Sequence, residues 1–341
     1  MPRRGRAGRR MAEITPKLQS LPVTILCGFL GAGKTTLLKR VLEDPRGIRY
    51  GVVVNDFGAI NIDAELVAET SADQVALSNG CICCSMRDDL AEALDGLLGM
   101  EPPPQHLIIE ASGVSRPLAI LDAVGQDAFE GRLHVDATVC LVDAEQFRAL
   151  DFRATELAID QAGSSDLLVF NKCDLASEGD IAAAEATLTG PSPAIRRIRA
   201  IQADVPREIL FGPDLRRPAL RATRHTHDCG PDCHDPHHDH AHSHGHEHTD
   251  LFATWDWSHE APLDWERTRA VLGALPSWLL RAKGILSVSV EGTNRRAVFQ
   301  LVGKRQAIAL EDGPPPSASQ IVFIGLAEQF DRKALVAHLE R

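Results

Sequence analysis

The sequence predicts an α/β protein: a parallel sheet with helices on both faces, followed by a small C-terminal α+β domain. Three observations support this. From Leu21 to about Phe211, short apolar runs alternate with longer amphipathic segments, as in a parallel sheet covered by helices. Between Pro213 and Asp250 the composition changes to Pro, Gly, Asp and His, with too few apolar residues to form a core. Beyond this linker the pattern is that of alternating strands flanked by helices.

The expected strands of the first domain are, in chain order, PVTILC, GVVVN, LIIE, TVCLVD and LLVFNK. Nearly continuous apolar runs of this kind are typical of strands buried on both faces of a parallel sheet. In the last domain we expect a strand at LFATWDW, a helix from Leu263 to Leu280, strands at KGILSVSVEG, RAVFQLVG, QAIAL and IVFIG, and a final helix at DRKALVAHLE. The predicted organisation is a disordered N-terminal extension (1–20), a nucleotide-binding domain (21–212), a disordered His-rich linker (213–250) and a C-terminal domain (251–341).

Charge and hydropathy limit the classes of partner. The net charge of −11 argues against wrapping a nucleic-acid backbone, so no nucleic-acid partner is expected. No apolar run approaches the ~20 residues that span a bilayer, so we expect no membrane association and a cytoplasmic location. The Arg-rich start, MPRRGRAGRR, lacks the apolar core of a secretory signal, and Met11 leaves the true start codon open.

The first candidate site is a phosphate-binding loop (P-loop). GFLGAGKT, residues 28–35, fits G-x-x-x-x-G-K-[ST] and lies between a strand-like run and an amphipathic helix. Its backbone N–H groups would surround phosphates, Lys34 would neutralise their charge, and the Thr35 hydroxyl would coordinate Mg²⁺. The residues predicted to bind nucleotide here are Gly28, Gly31, Ala32, Gly33, Lys34, Thr35 and Thr36.

A carboxylate is predicted to complete this site. The strand LIIE ends at Glu110, and Gly113 follows shortly after, where a γ-phosphate sensor would lie. We predict that Glu110 is near Mg²⁺ and the attacking water, and that Lys34 and Glu110 are the catalytic residues. The alternative is a carboxylate that only caps the next segment.

The identity of the bound nucleobase is predicted from the motif NKCD, residues 171–174. Asn171, Lys172 and Asp174 follow a buried strand in the N-K-x-D pattern of guanine recognition. Asp174 can accept hydrogen bonds from the ring N–H and the exocyclic amine of guanine, which adenine lacks, so we expect GTP rather than ATP.

Six of the eight cysteines fall into two groups, and the other two, Cys229 and Cys233, lie in the linker. Cys27, Cys140 and Cys173 stand in or beside apolar runs and are expected to be small buried core residues. Cys81, Cys83 and Cys84 form NGCICC, three soft thiolate ligands with an open fourth position for a transition metal. Thiol redox chemistry or chance clustering are the alternatives.

A histidine tract lies in the linker. Residues 225–248 hold ten histidines with Cys229 and Cys233, enough donors to bind several ions loosely. The same composition also describes a solvated linker. The tract includes His237, His238, His240, His242, His244, His246 and His248.

Together these motifs resemble the CobW-type GTPases, a branch of P-loop GTPases related to the hydrogenase and urease maturation factors. The resemblance runs through GFLGAGKTTLL, VVVNDFG, NGCICC, IIEASGVSRP and NKCDL to a C-terminal domain with KGIL and IVFIG. It implies GTP hydrolysis coupled to delivery of a transition metal, often zinc, to a client metalloprotein, with Mg²⁺ as cofactor and the three cysteines as metal ligands. Asp56 departs from the family, which more often has Glu after the Asn.

Other interpretations remain open from the sequence. A cobalt-handling GTPase for cobalamin synthesis uses the same chemistry, since the ligand set admits Co²⁺ as well as Zn²⁺. A metal buffer with a regulatory GTPase would bind metal through the histidine tract alone. A P-loop kinase would need an acceptor pocket, and N-K-x-D argues against its usual ATP. A nucleotide-dependent homodimer is a further expectation.

Overall fold

The computed structural model describes residues 20–54, 75–78, 86–212 and 251–340, with backbone only for 75–78 and 86–89. The N-terminal extension up to residue 19, the NDFG motif, the three clustered cysteines and the linker with its histidine tract lie outside the described residues. The other predicted site residues, on the P-loop and at the strand ends, lie within the described residues.

The first domain is built on a parallel sheet of seven described strands in the order β3-β2-β4-β1-β5-β6-β7. Every pairing in it is parallel, so the carboxyl ends of all seven strands share one edge. The strands are β1 (Leu21–Gly28), β2 (Tyr50–Val54), β3 (Val75–Ser78), β4 (His106–Glu110), β5 (Leu133–Asp143), β6 (Leu167–Asn171) and β7 (Arg196–Arg199).

Helices cover both faces of this sheet, as predicted. On one face, α2 to α5 pack against β1 residues such as Val23 and Ile25. On the other face lie α1 and α6. The helices are α1 (Lys34–Glu43), α2 (Met86–Leu98), α3 (Pro117–Val124), α4 (Phe152–Gly163), α5 (Glu178–Thr189) and α6 (Arg207–Phe211).

The C-terminal domain is an antiparallel sheet with the order β12-β11-β10-β13-β8, to which the short β9 adds a parallel pairing with β10. Two helices pack on it, and its core includes Trp255, Phe299, Phe323 and Leu335. The elements are β8 (Phe252–His259), β9 (Leu263–Asp264), α7 (Trp265–Leu272), β10 (Leu279–Val290), β11 (Thr293–Val302), β12 (Arg305–Glu311), β13 (Ser319–Leu326) and α8 (Arg332–Leu339). The predicted α+β class is confirmed.

One element prediction is wrong. A helix was expected from Leu263 to Leu280, but α7 spans only Trp265–Leu272. Gly273 caps it with its backbone N–H, and Pro276 follows, a combination that ends helices. The final residues of the predicted helix, Leu279 and Leu280, are buried in β10 instead.

The two domains share a packed interface at the amino ends of the first sheet's strands. Leu280, Val302 and Ile324 of the C-terminal domain join the same core cluster as Ala137 and Leu167. The candidate site lies at the opposite edge of the first sheet, at the carboxyl ends of its strands.

Buried charges reinforce this interface. Asp136 of β5 pairs with Arg281 of β10, and their side chains are only 7% and 3% exposed. Asp166 pairs with Arg305 at 3.0 Å. Burial acts to raise the pKa of Asp136, but the charge of Arg281 outweighs it and holds that pKa below its usual range.

None of the helices within the described ranges is long and apolar enough to cross a membrane.

Candidate functional site

The P-loop connects β1 to α1 at the carboxyl edge of the sheet. Gly33 is the N-cap of α1 and has a φ of 100°, a conformation that favours glycine. A Cβ at Gly33 would lie 2.5 Å from Nδ2 of Asn171, so the position is also sterically closed to larger residues. Gly31 and Thr36 are exposed, while Ala32 is buried under the loop. This geometry leaves the helix N-terminus open to an anion.

Lys34 is buried at the base of the loop, only 7% exposed. Its Nζ donates hydrogen bonds to the carbonyl oxygens of Gly28 at 2.9 Å and Phe29 at 3.2 Å. The ammonium group is therefore fixed inside the loop by the loop's own backbone. A charge held in this way is placed to neutralise phosphates bound above it.

Thr35 and Glu110 meet beside the loop. Thr35 Oγ1 donates to Glu110 Oε1 at 2.8 Å, and Glu110 is 4% exposed. A hydroxyl and a carboxylate are oxygen ligands of the kind that Mg²⁺ prefers. The two residues predicted to hold Mg²⁺ thus lie together, and their donor chemistry fits that ion.

Asn171 links the loop to the rest of the site. Its Nδ2 donates to Ala32 O at 2.9 Å, and its Oδ1 accepts from the backbone N–H of Ala203 at 2.7 Å. Both ends of the amide are therefore engaged within the protein. Asn171 thus connects the P-loop to the segment at Ala203.

Lys172 and Asp174 lie on the turn that follows β6. Lys172 has a φ of 60°, and its Nζ pairs with Asp143 Oδ2 at 2.6 Å. Asp143 also accepts backbone hydrogen bonds from Glu145 and Gln146 through Oδ1. Asp174 is exposed on the same turn, where a base could reach it.

The loop after Glu110 is fixed to α4. Gln161 is 1% exposed, and its Nε2 donates to the carbonyl oxygens of Gly113 and Ser115 at 3.2 Å and 2.9 Å. Gly113 is buried against Leu30 of the P-loop. The predicted γ-phosphate sensor is thus in contact with the phosphate loop.

Next to the P-loop is a cavity of about 380 Å³. Its walls come from the P-loop, the end of β5, α4 and the turn after β6. Its lining includes Leu30, Cys140, Asp143, Gln161 and Lys172.

Three residues of the site were not found from the sequence. Asp143 ends a buried strand at the carboxyl edge, the same signal that indicated Glu110. Gln161 is a polar residue on the buried face of an amphipathic helix, which is also a readable signal. Ala203 contributes only its backbone N–H, so its side chain gave no indication.

The predicted transition-metal ligands cannot be placed. Cys81, Cys83 and Cys84 and the histidine tract lie outside the described residues. Within the described ranges, no group of three or more His, Cys, Asp or Glu side chains is arranged to hold a metal ion. The chain does, however, enter the cysteine segment from Ser78, where β3 ends, and leaves it at Met86, where α2 begins.

The fold and the loop together define a P-loop nucleotide-binding protein with a second, antiparallel domain. The chain belongs to the CobW/HypB/UreG family: the model of that family's nucleotide-binding domain matches residues 22–196. The model of the cobalamin synthesis protein CobW C-terminal domain matches residues 252–341. The resemblance stated from the motifs is confirmed.

Two curated relatives carry functional names. The "Zinc-regulated GTPase metalloprotein activator 1" of Dictyostelium discoideum is 35% identical over 231 residues, 56% of this chain and 48% of that protein. The "Zinc chaperone CobW" of Sinorhizobium sp is 31% identical over 237 residues, 61% of this chain and 66% of that protein. The chain therefore spans half to two thirds of the length of these relatives.

Among solved structures, the Zn(II)-bound YjiA GTPase of E. coli is similar at 21% identity with a TM-score of 0.39. The match covers 95% of this chain and 99% of that one.

Proposed function

We propose that this protein binds and hydrolyses GTP and uses the nucleotide state to control transfer of a transition metal, most simply zinc, to a client metalloprotein. The observation that carries the GTPase part is the 2.8 Å hydrogen bond between Thr35 and Glu110 next to a preformed P-loop. Family membership and the names of the relatives support the same reading.

Each residue of the site has a role in this proposal. Lys34 and the loop N–H groups bind the phosphates, and Asp174 selects guanine. Thr35 and Glu110 hold Mg²⁺, which supplies charge neutralisation during phosphoryl transfer. Glu110 is also close enough to the loop to orient water toward the γ-phosphate.

The cargo is proposed to bind at the three clustered cysteines. Their segment is bounded by the end of β3 and the start of α2, and β3 ends at the same sheet edge as the P-loop and Glu110. We propose that a change at the γ-phosphate reaches the metal ligands through this shared edge. Thiolates accept both Zn²⁺ and Co²⁺, so a cobalt cargo is the principal alternative outcome.

Three further points belong to the proposal. The histidine tract gathers metal loosely and passes it to the thiols. A homodimer forms in the nucleotide-bound state. The protein works in the cytoplasm, where reduced thiols can exchange metal.

The test is a competition titration with a chromogenic chelator. The affinity for Zn²⁺, and separately for Co²⁺, is measured without nucleotide, with GDP and with a nonhydrolysable GTP analogue. The same series is run on the variant Cys81→Ser/Cys83→Ser/Cys84→Ser, with Cys173→Ser as the control thiol substitution. The proposal predicts an affinity that depends on both the nucleotide and the three thiols. If the metal affinity is the same in all three nucleotide states, the protein is a metal store and the proposal is wrong.

A further inference from the structure

Two thiols lie directly beneath the P-loop. Cys27 of β1 and Cys140 of β5 are register partners on neighbouring parallel strands. Both belong to the same core cluster and are 0% and 2% exposed, so their side chains share one face of the sheet. Neighbouring strands are about 4.8 Å apart. That spacing is within the Cα separation of about 4.4–6.8 Å that a disulfide bridges.

One of these thiols lines a cavity large enough for a small molecule. Cys140 lines the 380 Å³ cavity beside the P-loop, as does Gln161. The Nε2 of Gln161 is engaged with backbone carbonyls, but its buried Oε1 has no hydrogen-bond partner in the described part of the chain. An unsatisfied amide oxygen on a residue that lines a largely apolar cavity is a candidate acceptor for a ligand that carries an O–H group.

The two sulfurs differ in chemical character. Burial acts to raise the pKa of Cys27, but hydrogen bonds with Cys140 and with Ser165, 3.2 Å away, bring that pKa below its usual value. The hydrogen bond to Cys27, followed by burial, raises the pKa of Cys140 well above the usual value. Cys27 is therefore the thiol that more readily gives a thiolate, the form that attacks an oxidised sulfur.

We propose that Cys27 and Cys140 form a reversible disulfide when a small hydroperoxide enters this cavity, and that the disulfide weakens GTP binding. Cys140 reacts first because it, and not Cys27, lines the cavity. Its sulfur attacks the peroxide as its proton is transferred to the departing oxygen: an S–O bond forms, the O–O bond breaks, and that oxygen leaves as water or an alcohol. The Cys27 sulfur then attacks Cys140: an S–S bond forms, the S–O bond breaks, and hydroxide leaves as water with the Cys27 proton. The two thiols are oxidised and the peroxide is reduced by two electrons.

The effect on GTP follows from the position of Cys27, one residue before the P-loop. Gly28 has a φ of 130°, and a Cβ placed there would be 2.1 Å from Leu141 O, so β1 and β5 touch at this level. A disulfide requires the two Cβ atoms to approach to about 3.8 Å. We expect the strand ends to shift as the two Cβ atoms approach, and the Gly28 carbonyl that anchors Lys34 to move with them. This consequence rests on the proposed function, whereas formation of the disulfide does not.

The experiment uses the full chain with Ser at Cys81, Cys83, Cys84, Cys229 and Cys233, which leaves Cys27, Cys140 and Cys173. After hydrogen peroxide treatment and alkylation, peptide mass spectrometry should find a Cys27–Cys140 link, with Cys173 alkylated. The affinity for a fluorescent GTP analogue should fall about tenfold and recover with a phosphine reductant. Adding Cys140→Ser should abolish both effects, and adding Cys173→Ser should abolish neither.

Two results would overturn the inference. Peptides of Cys27 and Cys140 that remain unlinked after oxidation would rule out the disulfide. A linked protein whose affinity for the analogue changes less than twofold would rule out control of the P-loop. If the reduced protein binds no GTP at all, the proposed function fails, and the peptide analysis still decides whether the disulfide forms.

Discussion

Thr35 and Glu110 are 75 positions apart in the chain, yet Thr35 Oγ1 donates to Glu110 Oε1 at 2.8 Å. The contact exists because β1 and β4 are adjacent parallel strands that end at the same edge of the sheet, with Leu26 beside Glu110. The first turn of α1 and the end of β4 are thereby held as one unit. The nucleotide site is thus organised by the sheet before any ligand binds.

Replacing Glu110 tests its proposed role in hydrolysis. Glu110→Gln keeps the size of the side chain and an oxygen acceptor for Thr35 but removes the charge. We expect the GTP hydrolysis rate to fall at least about a hundredfold, with a much smaller change in GTP affinity. Single-turnover hydrolysis and analogue binding measure the two separately. Glu130→Gln, an exposed carboxylate near the amino end of β5, is the control, and an equal loss in both variants would contradict the assignment.

Base selection by Asp174 predicts a change of substrate. Asp174→Asn replaces an acceptor by a donor, which suits the C2 carbonyl of xanthine and not the amine of guanine. We expect GTP affinity to fall by at least about tenfold and XTP affinity to rise. The measurement is competition between GTP and XTP for binding to the wild-type protein and to the variant. Unchanged preference for GTP would show that the base is read elsewhere.

The sequence was most informative where a motif and a strand end coincide. The P-loop, Glu110 and the N-K-x-D turn were all predicted at strand ends, and in the structure both Glu110 and Asn171 contact the P-loop segment. Two short strands, β3 and β7, were missed because VALS and RRIR are too brief, and the second too charged, to stand out. Lys172 was predicted for guanine, but its pairing with Asp143 depends on the order of β5 and β6, which no local pattern encodes.

The domain interface makes a prediction about stability. Arg281→Met leaves Asp136 buried without its charged partner, so we expect the free energy of unfolding to drop by about 3–5 kcal/mol. Adding Asp136→Asn should restore part of the loss. Urea unfolding measures both, with the exposed Arg295→Met as control. A cost below about 1 kcal/mol for Arg281→Met would mean that the pair is not desolvated as described.

A buried histidine predicts a pH dependence. His106 of β4 is 6% exposed and bonded to Thr24 Oγ1 at 2.8 Å. Burial lowers the pKa of His106 to about 3, although Asp136 opposes the shift. Because the unfolded chain takes up this proton below about pH 6.5 and the folded chain does not until about pH 3, stability is full above pH 6.5 and declines as the pH falls, by about 1.4 kcal/mol per unit.

The measurement is the unfolding free energy at pH 7 and pH 5.5. Wild type should lose about 1 kcal/mol more than His106→Gln over this interval. The matched control is His259→Gln, an exposed histidine on β8. If His106→Gln shows the same pH dependence as wild type, His106 is protonated in the folded state and the assignment is wrong.

Metal binding and nucleotide binding are expected to be energetically coupled, and the coupling is measured as the affinity of the GTP analogue with and without saturating zinc. Linkage requires zinc to change GTP affinity by the same factor by which GTP changes zinc affinity. The account predicts a change of at least about fivefold, which disappears in Cys81→Ser/Cys83→Ser/Cys84→Ser. An analogue affinity that is the same with and without zinc in the wild-type protein would contradict it.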